Sequence, residues 1–259
     1  MDVHKNKKRS NKMSWFNTGF KHAEAKERTE NKEPHSGVPS RFWVPKNGSG
    51  TIIFLDNFDW RFEHGGYQLP VVPFTVYEHC VIVDNDFKNR HFYTCHGHDC
   101  PLCEAKYASR QVFAFTVLNL WKNKENKDQA SKQLFVCNKA TAMLLESRLA
   151  KKGNLHGLKY SVGRAGDKSP TVGNDFEFEE SVGDNIKTLY PNVDIAPYYA
   201  TAEVALDYYK GLFQPKPAEE IRAFLKQYDC TDGYTFNPNR TSKPRSSTPE
   251  GSSGESIEY

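Results

Sequence analysis

Three cysteines fall within nine positions of one short run, Tyr93-Thr-Cys95-His-Gly-His98-Asp-Cys100-Pro-Leu-Cys103, and no other stretch restricts the fold so tightly. Cys100-Pro-Leu-Cys103 is the two-sulfur turn of structural zinc sites, where thiolates bind at ~2.3 Å and four ligands close a tetrahedron. Cys95 supplies a third sulfur. His79, Cys80, His96 and His98 are all near enough in sequence to be the fourth donor. His79 and Cys80 fall on a predicted strand, Tyr77 to Val83, whose alternation points them to opposite faces, so only one of them can face the metal. Six cysteines in 259 residues are too few for a disulfide scaffold. Their clustering favours metal ligation in a reducing compartment. A catalytic zinc keeps an open position beside a general base, and zinc deaminases carry H-x-E with P-C-x-x-C. His22-Ala23-Glu24 matches the first half but sits in a polar segment, and Asp99 rather than Pro precedes Cys100. No P-loop, nucleophile elbow or glycine-rich dinucleotide fingerprint occurs. The expected metal is one structural Zn2+, in a chain that is not an enzyme.

Around this cluster the chain divides into three. Residues 1–37 are polar and close on Pro34, Gly37 and Pro39, which predicts a flexible basic arm with a short helix near Ala23 to Arg28. Six Lys or Arg (Lys5, Lys7, Lys8, Arg9, Lys12, Lys21) stand against Asp2 alone between Met1 and Lys21, a bias suited to an acidic partner. Residues 38–237 read as one core, with a zinc subdomain at about 75–110. Strands are predicted at Arg41–Val44, Thr51–Leu55, Thr75–Val83, His91–Thr94, Gln111–Leu120, Gln133–Cys137, Leu158–Arg164 and Asp175–Glu179, from alternation and β-branched or aromatic content. Helices are predicted at Ala140–Lys151, ended by Gly153, and at Ala200–Tyr209 and Pro217–Gln227. Short strands with one interposed helix describe a mainly β protein with a few helices, a partly open barrel of the oligonucleotide-binding (OB) type. Residues 238–259 are rich in Ser, Pro and Gly and read as a disordered tail. The longest apolar runs are far short of the roughly 20 residues that span a bilayer, so no membrane association is expected. The start carries no apolar stretch, so the expected compartment is a cytosol.

Single-strand binders combine a basic groove for the backbone with aromatic faces for the bases. Cations stand beside rings in Arg41-Phe42-Trp43, Lys88-Asn-Arg90-His-Phe92-Tyr93, Lys106-Tyr107-Ala-Ser-Arg110-Gln-Val-Phe113 and Lys159-Tyr160. Arg41, Lys88, Arg90, Lys106, Arg110 and Lys159 are therefore candidate phosphate contacts, and Trp43, Tyr93, Tyr107, Phe113 and Tyr160 candidate stacking rings. Arg110 and Tyr107 lead this set, because they follow Cys103 directly and the zinc turn would hold them. Trp43, on a first strand, is as well suited to a core. One face of Gln111–Leu120 is expected to be core and the other a platform.

These features together resemble the zinc-containing single-stranded-DNA-binding proteins of tailed bacteriophages. The likeness runs in order from Phe42 to about Phe178, through Phe42-Trp43-Val44, Thr51-Ile-Ile-Phe54-Leu55, the strand bearing His79, the cysteine cluster, Leu134-Phe135-Val136 and Leu158-Lys159-Tyr160-Ser-Val162. The resemblance implies an OB fold with an inserted zinc subdomain, and zinc held by His79, Cys95, Cys100 and Cys103. It implies a protein that coats single-stranded DNA in phage replication, recombination and repair, in the cytoplasm of an infected bacterial host. It also implies cooperative self-association through Lys7-Lys8-Arg9-Ser10, although Asn11 departs from the family pattern. Recruitment of replication or transcription proteins through the tail would follow too, where only Glu250, Glu255 and Glu258 come after Arg245. A zinc-ribbon transcription regulator that contacts host RNA polymerase, or an RNA-binding protein, is the alternative.

Overall fold

A computed structural model describes residues 16–18, 39–83, 89–122, 125–126, 128–166, 168–195 and 201–228. Lys7, Lys8, Arg9, Ser10, Lys88, the helix expected near Ala23 to Arg28 and the 238–259 tail lie outside them. The described part is mainly β. Its strands are β1 (Phe16–Thr18), β2 (Ser49–Phe54), β3 (Arg61–His64), β4 (Tyr67–Pro70), β5 (Phe74–Ile82), β6 (Arg90–Thr94), β7 (Ser109–Lys122), β8 (Asp128–Cys137), β9 (Leu158–Gly163) and β10 (Asp175–Ser181). The helices are α1 (Pro101–Glu104), α2 (Lys139–Lys152), α3 (Ile186–Leu189), α4 (Ala202–Leu212) and α5 (Ala218–Gln227). No described helix is long and apolar enough to cross a membrane.

Strand β7 organises the sheet. Its first half pairs with β5 over Ser109 to Ala114 and its second half with β2 over Val117 to Leu120, while β8 follows it from Phe113 to Lys122. Beyond β2 the sheet continues through β9 to β10, and β5 carries β1 and β6 on its other edge. Alternation makes Phe115 and Val117 part of a core with Phe54, Phe135, Phe58 and Tyr160. The opposite face of β7 is covered as well, because α4 packs there with Tyr209 stacked on Phe74 and hydrogen-bonded to Thr116. The expected open platform on Gln111–Leu120 is therefore absent. Helix α2 starts on Asn138, whose side chain accepts from the Thr141 amide at 3.0 Å, and ends on Gly153 in the left-handed region.

Two expectations are corrected and one element is added. Residues 16–18 of the supposed arm form β1 and pair with β5, because three residues of β-forming character suffice to occupy a free sheet edge. Arg41–Val44 is not a regular strand. Between Pro39 and Pro45, neither of which can donate, it makes one parallel bridge from Arg41 to Leu134. The Phe42 amide bonds Leu134 O (2.9 Å) and the Val44 amide bonds Thr171 O (2.8 Å), so the segment ties β8 to the turn before β10. The hairpin β3–β4 was missed, although Gly65-Gly66, both at positive φ, are the signature of its two-residue turn.

Where β7 passes from β5 to β2, the Thr116 amide has no strand partner on that edge. The buried Asp56 carboxylate accepts from it at 2.6 Å and from the Tyr209 hydroxyl at 2.9 Å. No cation stands among these bonds, and burial pushes the Asp56 carboxyl from 3.8 up to about 7, against the pull of Thr116 and Tyr209. A raised folded-state pKa means the folded chain binds this proton more tightly than the unfolded chain does. The resulting stabilisation is complete below about pH 4 and lost as pH rises through about 7. Urea unfolding from pH 4 to 7.5 should show wild type losing on the order of a few kcal/mol relative to Asp56→Asn as pH rises across that window. A constant difference across the window would exclude the linkage.

Candidate metal centre

His79 lies on β5, opposite Ser109 of β7 and Tyr93 of β6. Strand β6 delivers the chain to Cys95, whose amide bonds Tyr77 O at 2.8 Å. The chain then reverses through Gly97 and Asp99, both left-handed, and re-enters as α1 with Cys100 at its N-cap and Pro101 at its first position. The Gly97 amide points at Cys95 Sγ (3.4 Å). Helix α1 closes on a left-handed Lys106, with Lys106 N to Cys103 O at 3.0 Å and Tyr107 N to Leu102 O at 2.8 Å. This double bond pattern is the Schellman stop, which satisfies the last carbonyls of a helix too short to persist alone.

The turn brings four donors together. His79 Nε2 and the sulfurs of Cys95, Cys100 and Cys103 all lie within 4.8 Å of one another. Cys95 and Cys103 are 3.6 Å apart, and His79 Nε2 is 3.5 Å from both Cys100 and Cys103. A tetrahedral ion with sulfur at ~2.3 Å and nitrogen at ~2.0–2.1 Å needs neighbouring donors about 3.5–3.8 Å apart, so the group fits such an ion. Hydrogen bonding from the Cys95 thiol, helped by His79 and the amides of His96 and Cys103, holds the Cys100 thiol far below its ordinary range against the effect of burial. The hydrogen bond with Cys100 and burial push the Cys95 thiol up, and burial and the Cys100 charge push Cys103 up, so holding all three as thiolates would take a bound cation. Cys80 alternates to the other face of β5, and His96 and His98 stand outside the group. The four donors can therefore hold a metal ion.

Behind the cluster is a second core of Val81, Tyr93, Leu102 and Tyr107, covered by Ile221 and Leu225 of α5. Phe224 meets Tyr93 edge-on, and Arg222 bonds Glu104 at 2.8 Å. Tyr93 and Tyr107 are thus structural, and neither ring is open to a base. The same correction applies to Phe113 and Tyr160, which lie in the main core. Each was chosen for a cation nearby in sequence, but on a strand residues one or three apart point to opposite faces, as Arg90 and Tyr93, Arg110 and Phe113, and Lys159 and Tyr160 do. Trp43 reverses its expected rank, at 64% exposed, because Phe42 and Val44 on either side of it turn into the core. Lys159 is held by Glu179 (3.1 Å) and Glu180 (2.9 Å), and Lys106 is exposed at the end of α1.

The other face of β5–β6–β7 carries the cations. Arg90 opposes Ile82, Phe92 opposes Cys80 and Arg110 opposes Glu78. Arg41 reaches this face from its own segment and sits 3.9 Å over the Phe92 ring, with Arg110 at 5.8 Å. Glu78 lies beneath, paired with Arg41 and 3.8 Å from Arg110. Phe92 and Glu78 were not among the sequence candidates. The available signal was their even spacing from Cys80 and Arg90, together with a single acid in a mostly apolar strand. Comparison with known protein families and with characterised proteins finds no match.

Purified protein should carry one metal equivalent. Cys100→Ser, Cys103→Ser and His79→Ala should each release it and lower Tm on the order of 10 °C, because losing the centre opens the second core. Cys80→Ser should keep the metal, and elemental analysis with a thermal melt checks all four.

Proposed function

We propose that this chain is a zinc-containing protein that binds single-stranded nucleic acid, single-stranded DNA above all, without chemistry. The observation that carries the reading is the face formed by Arg41, Arg90 and Arg110 around Phe92, one strand face away from the metal cluster. Arg90 and Arg110 are exposed for phosphates, and Trp43 is exposed two residues from Arg41. Basic side chains beside exposed rings are what a flexible, unstacked strand needs.

The topology supports an OB-type barrel. In chain order β2, β7, β8, β9 and β10 are five strands with α2 between the third and fourth, paired as β10-β9-β2-β7-β8. Barrels of this type also bind oligonucleotides on the loop joining the first strand to the second. In this chain that joining segment carries β3 to β6, the metal ligands and Phe92. Three thiolates and an imidazole favour zinc and fill its four positions, leaving none for a substrate. The resemblance in residue order to the phage single-stranded-DNA-binding proteins agrees. On this reading the protein coats exposed strands during phage replication, recombination and repair, inside an infected bacterial cell.

Fluorescence anisotropy with single-stranded DNA, duplex DNA and RNA of equal length tests it. Single-stranded DNA should bind best, with affinity falling as salt rises by a log–log slope near −0.7 per phosphate neutralised. Arg90→Ala or Arg110→Ala should each reduce that slope by about one such unit. Preference for duplex, or binding to none, overturns the reading, and preference for RNA reassigns the substrate.

A further inference from the structure

We infer that Glu78 is a specificity-determining residue, which neutralises Arg41 and lays its guanidinium on Phe92 so that Arg41 takes an unpaired base rather than a phosphate. The inference rests on the binding surface proposed above and concerns how that surface selects its ligand.

Glu78 is the one acid in β5, with its side chain only 2% exposed. Both of its oxygens face Arg41: Nη1 donates to Oε2 at 3.0 Å and Nη2 donates to Oε1. This is the two-pronged pairing that fixes a guanidinium in plane as well as in place. Beneath that plane is Phe92, with the Arg41 guanidinium carbon 3.9 Å from the ring centroid. Arg41 therefore has its fork spent on a carboxylate and one flat face spent on a ring, yet its side chain stays 29% exposed.

What such a group can still offer is limited and specific. An arginine that grips phosphate does so with its fork, in the same bidentate geometry that Glu78 already occupies. A guanidinium plane remains a good surface for a nucleobase, which stacks on arginine as it does on an aromatic ring. Only an unpaired base presents that face, since a duplex keeps its base faces inside its own stack. Glu78 also cancels one positive charge where Arg41 and Arg110 converge, so the surface attracts a phosphate chain less than three arginines would. The carboxylate thus converts one arginine from a phosphate contact into a stacking platform, and leaves Arg110, 57% exposed and only 3.8 Å from it, as the neighbouring phosphate contact.

Full-length wild type and Glu78→Gln should be compared on three equal-length probes: a single-stranded oligonucleotide, its duplex, and a strand of abasic sites that keeps phosphates and lacks bases. With Arg41 freed, the variant should bind the abasic strand and the duplex about tenfold more tightly at low salt, with a much smaller gain on the normal single strand. Its salt slope on the single strand should steepen by about one phosphate unit. Arg41→Lys keeps the charge and loses the plane, so it should bind the normal single strand about tenfold more weakly and the abasic strand unchanged. Equal changes on all three probes in Glu78→Gln, or wild-type single-strand affinity in Arg41→Lys, would overturn the assignment. Should Glu78→Gln lose its metal or fail to fold, the Arg41→Lys comparison decides alone. A wild type without preference for single strands over duplex removes the binding surface and this inference together. A wild type with that preference and unchanged probe ratios in both variants removes the inference alone.

Discussion

Four donor atoms from three stretches of chain must converge on one point, and much of the surrounding structure is held by that convergence. His79 comes from a strand, Cys95 from the end of another, and Cys100 and Cys103 from a four-residue helix. None of these pieces is stable by itself. Strand β6 hangs on a single edge of β5, and α1 is one turn. Three sulfurs and an imidazole within 4.8 Å of one another, mostly buried, would set thiolate against thiolate if no positive charge lay between them. A bound ion would turn that liability into a strong local constraint, against which the second core and α5 pack.

Strand alternation extends the constraint to the opposite face. Fixing the His79 imidazole among the sulfurs fixes the rotation of β5, which places Glu78 and Cys80 on the far side. Its register with β6 and β7 then sets Phe92 beside Cys80 and Arg110 beside Glu78. A slip of one residue would put Glu78 among the thiolates and the imidazole among the arginines, so the metal centre and the cationic face stand or fall together. A metal bound here would act on the proposed binding surface without touching a ligand there.

How much of this is legible in the sequence depends on how local each feature is. The cysteine turn is local, and its ligand type and approximate subdomain follow from spacing. Most strands and the α2 cap are equally local, as Asn138 and Gly153 illustrate. The site face is not local. Arg90 and Tyr93 are close in sequence but on opposite faces, whereas Arg41, Glu78, Phe92 and Arg110 come from four segments and meet only through register. Adjacency of a cation and a ring therefore selected Tyr93, Tyr107, Phe113 and Tyr160, all of which folding buries. Strand β1 was hidden for a related reason: it is only three residues long and its partner lies about sixty residues away.

The two buried acids among the described residues show how environment separates a structural carboxylate from one that shapes a surface. Asp56 receives only neutral donors, the Thr116 amide and the Tyr209 hydroxyl, at the point where β7 changes partners. What that point requires is an acceptor for a stranded backbone amide, and a neutral side-chain oxygen can fill the need. Glu78 instead faces two guanidiniums, and no backbone amide of a strand change depends on it. A neutral amide there would still fill the volume, but it could not hold the Arg41 fork or offset its charge. Burial alone thus does not make an acid structural. The groups it compensates do, and at Glu78 those groups are the ones that reach solvent.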